Sequence, residues 1–266
     1  MILSFLFSAC GISEQAAHTA EKTPVRIAVI DTGFSSSAIP QQNIVGGKNY
    51  LDENLSTEDT YGHGTAIASV ILENCPDSLL VPLISNAFDD GKIIQVENDT
   101  LAQIIIDAVD IYECDIINIS AGIILDKDSI RNAVQYAEEK GTLVVASVGN
   151  DYADYGEIKY YPAAYPTVLA VGSVDKEEKE ISKFSQRGEW VDIYACGEDV
   201  TVRTLSGNTR TSDGTSYSAA KITACAANII MQSESDLSPS ELRQKIIESS
   251  KILPDGTKYF PKNYQQ

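Results

Sequence analysis

The stretch Val25-Arg-Ile-Ala-Val-Ile-Asp-Thr-Gly33 decides the fold of this chain of 266 residues. Its apolar run has the length of a strand that is buried on both faces, and it ends in a Thr-Gly turn. Similar runs recur along the chain, and helical patterns separate the first four of them. The further predicted strands are residues 79–84, 115–120, 142–147, 168–172 and 191–194. The predicted helices are residues 64–72, 100–112, 128–140, 216–232 and 238–249.

Two of these helices start with a capping-box pattern. In Thr100-Leu-Ala-Gln103 and in Ser238-Pro-Ser-Glu241, a hydroxyl residue stands three positions before Gln or Glu. Short apolar strands that alternate with helices form parallel sheets covered on both faces. The sequence therefore predicts an α/β fold of three layers, with a mostly parallel central sheet flanked by helices on both faces.

Polar residues stand at the carboxyl ends of three predicted strands. They are Asp31, Ser120 and Asn150. Ligands of open parallel sheets bind just outside the carboxyl ends of the strands. The pattern therefore predicts that these three residues share one active edge of the sheet.

The charge balance excludes one class of partner. The chain carries 38 acidic and 20 basic residues, and its net charge is −18. Because nucleic-acid phosphates would be repelled, we expect no nucleic acid as a partner. An acidic molecule of this kind attracts basic peptides at long range.

The N-terminal residues and the cysteines bear on compartment and redox state. Residues 1–23 are interpreted as a short signal-like or linker segment, followed by one domain at residues 24–266. Ser8-Ala9-Cys10 resembles a bacterial lipidation site, so we expect a lipid anchor at Cys10 and favour a secreted or lipid-anchored protein over a cytoplasmic one. Four further cysteines lie in apolar segments without metal-ligand spacing and are predicted to be buried free thiols. They are Cys75, Cys114, Cys196 and Cys225.

The chain has only two histidines, and one of them is placed for acid–base chemistry. His63 stands in Tyr-Gly-His-Gly-Thr at the start of a predicted helix. A serine hydroxyl becomes a nucleophile when an imidazole removes its proton, and a buried carboxylate then orients the imidazole. Asp31 ends a buried strand, and Ser216 opens a helix whose free N–H groups favour negative charge. The order Asp, His, Ser is one of the known orders of a hydrolytic triad.

An amide donor completes this set. Asn150 follows Gly149 just past a strand, where its side chain and the Ser216 N–H would stabilise a tetrahedral oxyanion. The motifs Val-Ile-Asp31-Thr-Gly, Gly-His63-Gly-Thr, Gly-Asn150 and Gly-Thr-Ser216 together resemble the subtilisin-like serine proteases, or subtilases. The resemblance extends from about residue 25 to residue 249, and the three catalytic residues are 32 and 153 positions apart.

The resemblance implies a role for each residue of these motifs. Asp31 is the orienting acid, His63 the general base, Ser216 the nucleophile and Asn150 the oxyanion donor. Two segments are implied to be edge strands that clamp the substrate backbone and wall the pocket for the P1 side chain. They are Ser120, Ala121 and Gly122, and Ser147, Val148 and Gly149. The implied activity is that of a serine endopeptidase acting through an acyl-enzyme intermediate.

The resemblance also carries expectations about cofactors and backbone. Residues 73–78 lead quickly from the first helix into the next strand, so we expect the calcium loop of secreted subtilisins to be absent and no metal or other cofactor to be needed. Tyr161-Pro162 matches a cis proline of the family.

We expect a monomer that acts on peptide or protein substrates. Asp151 and the net charge favour basic or uncharged P1 residues, an attraction that salt would weaken.

Two other functions are compatible with parts of the sequence. Where the family has proline in the helix after the nucleophile, this chain has Tyr217-Ser-Ala-Ala-Lys221, which keeps open a catalytically silent binding module with the same fold. A dinucleotide-binding oxidoreductase would suit the strand and helix pattern. It is disfavoured because no Gly-x-Gly-x-x-Gly follows the first strand.

Overall fold

The computed structural model describes residues 24–262. Its strands are β1 (Arg26–Asp31), β2 (Lys48–Asn49), β3 (Leu79–Ile84), β4 (Asn86–Asp89), β5 (Lys92–Gln95), β6 (Ile116–Ile119), β7 (Leu143–Ser147), β8 (Val168–Val174), β9 (Ile193–Cys196), β10 (Val200–Arg203), β11 (Thr209–Ser212), β12 (Lys251–Ile252) and β13 (Lys258–Phe260). Its α-helices are α1 (His63–Asn74), α2 (Asn98–Asp110), α3 (Asp128–Glu139), α4 (Tyr152–Tyr155), α5 (Thr215–Gln232) and α6 (Pro239–Glu248).

One sheet of nine strands organises the described residues. Its order is β12-β13-β9-β8-β7-β6-β1-β3-β2, and every pairing is parallel apart from that of β12 with β13. Successive residues of β1 face opposite layers: Ile27 and Val29 pack with α1, α5 and α6, whereas Ala28 and Ile30 pack with α2 and α3. The predicted three-layer α/β architecture is therefore confirmed.

The predicted strands and long helices all form, with small shifts at their ends. The capping box of α6 is present in both directions, between the Ser238 side chain and the Glu241 N–H and between the Glu241 carboxylate and the Ser238 N–H. The one predicted at Thr100 is wrong. Helix α2 begins two residues earlier, after Glu97, and has no side-chain cap. Strand β9 covers Ile193–Cys196, so it begins and ends two residues later than the predicted strand 191–194.

Pro82 is accommodated inside β3 by the direction of its missing N–H. The carbonyls of Leu80 and Ile84, which lie on the same side of the strand as Pro82, accept hydrogen bonds from Val45 and Tyr50. Those donors belong to the segment around β2 at the sheet's margin. Pro82 therefore costs no hydrogen bond to β1, because a proline within a sheet is tolerated where its nitrogen faces an edge.

The four cysteines predicted to be free and buried are so in the structure. They lie in the core with at most 7% of their surface exposed. Burial raises the pKa of the Cys114 and Cys225 thiols to about 12, which keeps them protonated and unreactive. Cys10, with its predicted lipid anchor, lies outside the described residues, as does the rest of the segment 1–23. Within residues 24–262, no helix is both long and apolar enough to cross a membrane.

The turn between α1 and β3 is short and is held by a protein side chain. The buried Asn43 amide donates to the carbonyls of Pro76 at 2.8 Å and of Ser78 at 3.0 Å. These carbonyl oxygens therefore already have donors within the chain. The expected absence of a calcium loop here stays a prediction, and it is taken up in the Discussion.

Candidate active site

The strand β1 and the helix α1 bring Asp31 and His63 together. Asp31 ends β1 and is 2% exposed, and His63 is the first residue of α1. The Nδ1 atom of His63 lies 2.8 Å from Asp31 Oδ1 and 2.9 Å from Oδ2. Because an ionised carboxylate only accepts, Nδ1 carries the proton and donates to Asp31. The other ring nitrogen, Nε2, is then the basic one in the neutral ring.

Glycine at position 64 allows α1 to approach the end of β1 closely. A Cβ atom on Gly64 would lie 2.4 Å from the carbonyl oxygen of Gly33. The Gly64 N–H donates to the hydroxyl of Thr32 at 2.9 Å. The Thr32 N–H in turn donates to Asp31 Oδ1 at 2.8 Å. The Asp-Thr-Gly motif at the end of β1 and the Gly-His-Gly motif at the start of α1 thus contribute the two halves of one close contact.

A second carboxylate, Asp59, supports the histidine through the first turn of α1. It is 4% exposed, and its Oδ1 accepts from the N–H groups of Tyr61 and Gly62. Its Oδ2 accepts from both the N–H and the hydroxyl of Thr65. A carboxylate at a helix N-terminus satisfies free N–H groups and interacts favourably with the helix dipole.

The pKa of His63 is raised above its ordinary value. Burial lowers this pKa, but the negative charge of Asp31 and its hydrogen bond, with a further contribution from Asp59, outweigh burial. Arg210 opposes the rise. The imidazolium is thus stabilised by two carboxylates, only one of which it contacts.

Asn150 is fixed against the start of α5 with its amide nitrogen free to donate. Its Oδ1 accepts from the Thr215 N–H at 2.8 Å and from the Thr215 hydroxyl at 2.9 Å. The side chain is exposed, and its Nδ2 makes no hydrogen bond to any of residues 24–262. These bonds determine the orientation of the amide, so its N–H groups point away from Thr215.

Ser216 lies between two residues that reach the other members of the site. Thr215 binds Asn150, and the ring of Tyr217 lies 6.2 Å from the His63 ring, centroid to centroid. Within the described range the Ser216 hydroxyl makes no hydrogen bond, and the residue is 6% exposed. The structure therefore joins Asp31 to His63 directly, and it joins Ser216 to Asn150 and to His63 through the neighbours of Ser216.

The two predicted substrate segments differ in their surroundings. Residues 120–122 are half-buried just beyond β6. Ser147 and Val148 are 6% and 0% exposed, β7 lies between β6 and β8, and the Val148 N–H donates to Val171. This bond pairs the segment on its β8 side, and the expectation that residues 147–149 form an edge strand that clamps the substrate stays a prediction. Their role as a wall of the P1 pocket stays a prediction, as does the role of residues 120–122.

Comparison with known proteins decides the family. The model of the Subtilase family matches residues 22–264, which is nearly the whole chain. The chain belongs to the Subtilase family. The predicted resemblance to subtilisin-like serine proteases is therefore confirmed as membership of this family.

Individual relatives agree with this assignment. The thermophilic serine proteinase of Bacillus sp. (strain AK1) is 32% identical over 247 residues, which are 88% of this chain and 58% of that protein. Subtilisin Savinase of Lederbergia lenta is 31% identical over 261 residues, covering 93% of this chain and 92% of that protein. A crystal structure of a cold adapted subtilisin-like serine proteinase has a TM-score of 0.77 and 21% identity, covering 91% of this chain and 89% of that one. The last likeness shows the shared fold.

Three features of this subtilase site were not predicted from the sequence. Asp59 is the first, although a polar residue shortly before a helix start is a known signal of capping. The second is Gln186, which is fully buried and donates its N–H to the Gly149 carbonyl at 3.1 Å. The third is the contact of the Tyr160 ring with Gly149, for which the intervening loop sequence carries no recognisable pattern. The predicted cis peptide bond between Tyr161 and Pro162 is present.

Proposed function

We propose that this subtilase is a serine endopeptidase that uses Asp31, His63 and Ser216 as a catalytic triad. In the first step, Ser216 Oγ attacks the carbonyl carbon of the scissile peptide bond, and His63 Nε2 accepts the hydroxyl proton. Asp31 keeps the Nδ1 proton in place and stabilises the imidazolium that forms. The imidazolium then donates its proton to the leaving amine as the C–N bond breaks, which leaves the acyl-enzyme. Water, activated by the same imidazole, hydrolyses the ester and regenerates Ser216.

The oxyanion of each tetrahedral intermediate needs donors that are fixed before the reaction. The Asn150 amide is one candidate, because Thr215 holds its oxygen and leaves its nitrogen free. The N–H of Ser216, in the first turn of α5, is the other. Both donors are thus set by the same helix start that carries the nucleophile.

The contact between Asp31 and His63 carries this proposal. A buried carboxylate with both oxygens within 2.9 Å of one imidazole nitrogen fixes the tautomer that a general base requires. A silent binding module would need neither this contact nor the orientation of Asn150. The substrate class follows from the family, and we propose peptides and proteins.

Hydrolysis of casein and of a chromogenic peptide by matched variants tests the proposal. We expect Ser216→Ala and His63→Ala each to lower kcat by about 10⁶-fold, a magnitude known for subtilisin rather than derived from this geometry. Asn150→Ala should lower kcat by about 10²–10³-fold, again by comparison with subtilisin. The melting temperatures should stay within a few degrees of that of the unaltered chain.

The control is Asn132→Ala, a change on the exposed face of α3. It should leave turnover unchanged. If the unaltered, folded chain hydrolysed neither substrate, or if Ser216→Ala hydrolysed them equally fast, the catalytic proposal would be wrong.

A further inference from the structure

Tyr160 occupies the space between the two segments that the resemblance assigns to the substrate. A Cβ atom on Gly149 would lie 2.8 Å from Cδ2 and 2.9 Å from Cε2 of the Tyr160 ring. A Cβ atom on Gly122 would lie 3.2 Å from the Tyr160 Cβ. The tyrosine thus touches the glycine at the end of each segment, and its ring lies against the backbone just before Asn150.

The backbone of this tyrosine is anchored to one of those segments. The Ile123 N–H donates to the Tyr161 carbonyl at 2.9 Å, and the Tyr161 N–H donates to the Ile123 carbonyl at 2.8 Å. The stretch around Tyr160 therefore runs antiparallel to the chain beyond β6. Its position relative to Gly122 is fixed by the main chain and does not depend on the side chain.

The ring is held by a chain of hydrogen bonds. The Tyr160 hydroxyl donates to Asp151 Oδ2, and Asp151 Oδ1 accepts from Gln186 Nε2 at 2.9 Å. Gln186 is fully buried and is fixed in turn by the Ile158 N–H and the Gly156 carbonyl. Burial and the bond to Asp151 raise the pKa of Tyr160 to about 12, so the hydroxyl remains a donor at assay pH.

We propose that Tyr160 is a specificity-determining residue that restricts the P1 position to small side chains: glycine, alanine and serine. The inference rests on the proposed function and names its substrate class. A larger P1 side chain between the two segments would have to displace the ring and break its bond to Asp151. Since both Asp151 oxygens are engaged within the protein, that carboxylate offers no free oxygen to a basic P1 residue.

A set of tetrapeptide p-nitroanilides that differ only at P1 tests this inference. The P1 residues are glycine, alanine, serine, leucine and phenylalanine. Because each methylene that a pocket rejects is worth about 10–200-fold, we expect kcat/KM for alanine to exceed that for phenylalanine by at least about 100-fold. Reaction with a fluorophosphonate is measured in parallel, because it reports an active Ser216 whatever the P1 preference.

Three variants separate ring volume from other effects. Tyr160→Gly removes the ring and should raise the phenylalanine-to-alanine ratio of kcat/KM by about 100-fold. Tyr160→Phe keeps the ring but loses the bond to Asp151, so it should raise that ratio by no more than about 10-fold, the worth of one hydrogen bond. Tyr155→Ala changes a nearby tyrosine that is 73% exposed and should leave the ratio unchanged.

The outcomes distinguish this inference from the proposed function. An enzyme that reacts with the fluorophosphonate and cleaves after phenylalanine as fast as after alanine overturns the role of Tyr160 and leaves the triad standing. A folded chain that neither reacts nor cleaves overturns both. The profile of the unaltered enzyme decides the matter even if Tyr160→Gly folds poorly.

Discussion

At the scale of single residues, two carboxylates act on His63 by different routes. Asp31 contacts the ring, whereas Asp59 binds the N–H groups of the turn that carries it. Both negative charges raise the pKa of His63 against the opposing effect of its burial. Neutral imidazole, the form that accepts the serine proton, is therefore reached at a higher pH than in a free histidine, whose pKa is about 6.5.

Asp59→Asn tests the electrostatic part of this arrangement. Removing the charge lowers the pKa of His63, so the acid limb of the kcat/KM profile should move to lower pH. The neighbouring Glu58→Gln is the matched control, because Glu58 is exposed and binds Ser36 instead. Its profile should match that of the unaltered enzyme. An acid limb that stays in place, or moves to higher pH, in Asp59→Asn would contradict the account.

The roles of the catalytic residues could be predicted from the sequence, but not all of the contacts that hold these residues in place. Asp31, His63, Asn150 and Ser216 stand in short motifs whose residue types suit one reaction, so their roles could be named. Asp59 binds N–H groups at most six residues away, so its capping role had a local signal that was overlooked, whereas Gln186 makes long-range contacts with Gly149 and Asp151. Such contacts depend on how distant segments fold together, and the sequence alone does not give that geometry.

At the scale of elements, strands and helices with a strong hydrophobic pattern were predicted well, whereas short polar strands were missed. The buried strands and α6, with its capping box, formed as expected. The hairpins β4–β5 and β10–β11 were missed because their residues are largely exposed and lack an apolar run. The start of α2 was misplaced because the prediction relied on a capping box at Thr100, whereas the helix begins at Asn98 and has no side-chain cap.

The turn after α1 leads to a prediction about calcium. Asn43 donates to two carbonyls of this turn, which therefore already have partners. Calcium needs six to eight oxygen ligands, so we expect excess EGTA to change the melting temperature by less than about 1 °C. Asn43→Ala should instead destabilise the fold by about 1–3 kcal/mol, because it leaves the buried Ser78 carbonyl and the Pro76 carbonyl without this donor.

Calorimetry with and without the chelator checks this expectation. Gln41→Ala, at an exposed position two residues earlier, is the control for Asn43→Ala and should change stability little. A fall of several degrees in EGTA, reversed by added calcium, would show that the fold depends on a calcium site.

At the scale of the whole molecule, the net charge of −18 acts on every approaching substrate. The field attracts cationic peptides at long range, and salt screens it over about 10 Å at 0.1 M. This effect differs from the size restriction at P1, since it depends on total peptide charge and not on one pocket.

Salt should therefore separate two substrates that share a small P1 residue. We expect kcat/KM for a peptide with several lysines outside P1 to fall several-fold as sodium chloride rises from about 20 to 500 mM. An otherwise equal peptide with glutamines in place of lysines should change little. Equal responses of the two peptides would show that the acidic surface does not steer substrate.

Active-site labelling tests the central claim most directly, namely that Asp31 and His63 activate Ser216. A fluorophosphonate is added to the folded protein, and intact mass and peptide mapping locate the adduct. The account predicts one adduct, on Ser216, that is absent in Ser216→Ala and forms far more slowly in His63→Ala. An adduct elsewhere, or equal labelling of His63→Ala, would contradict it.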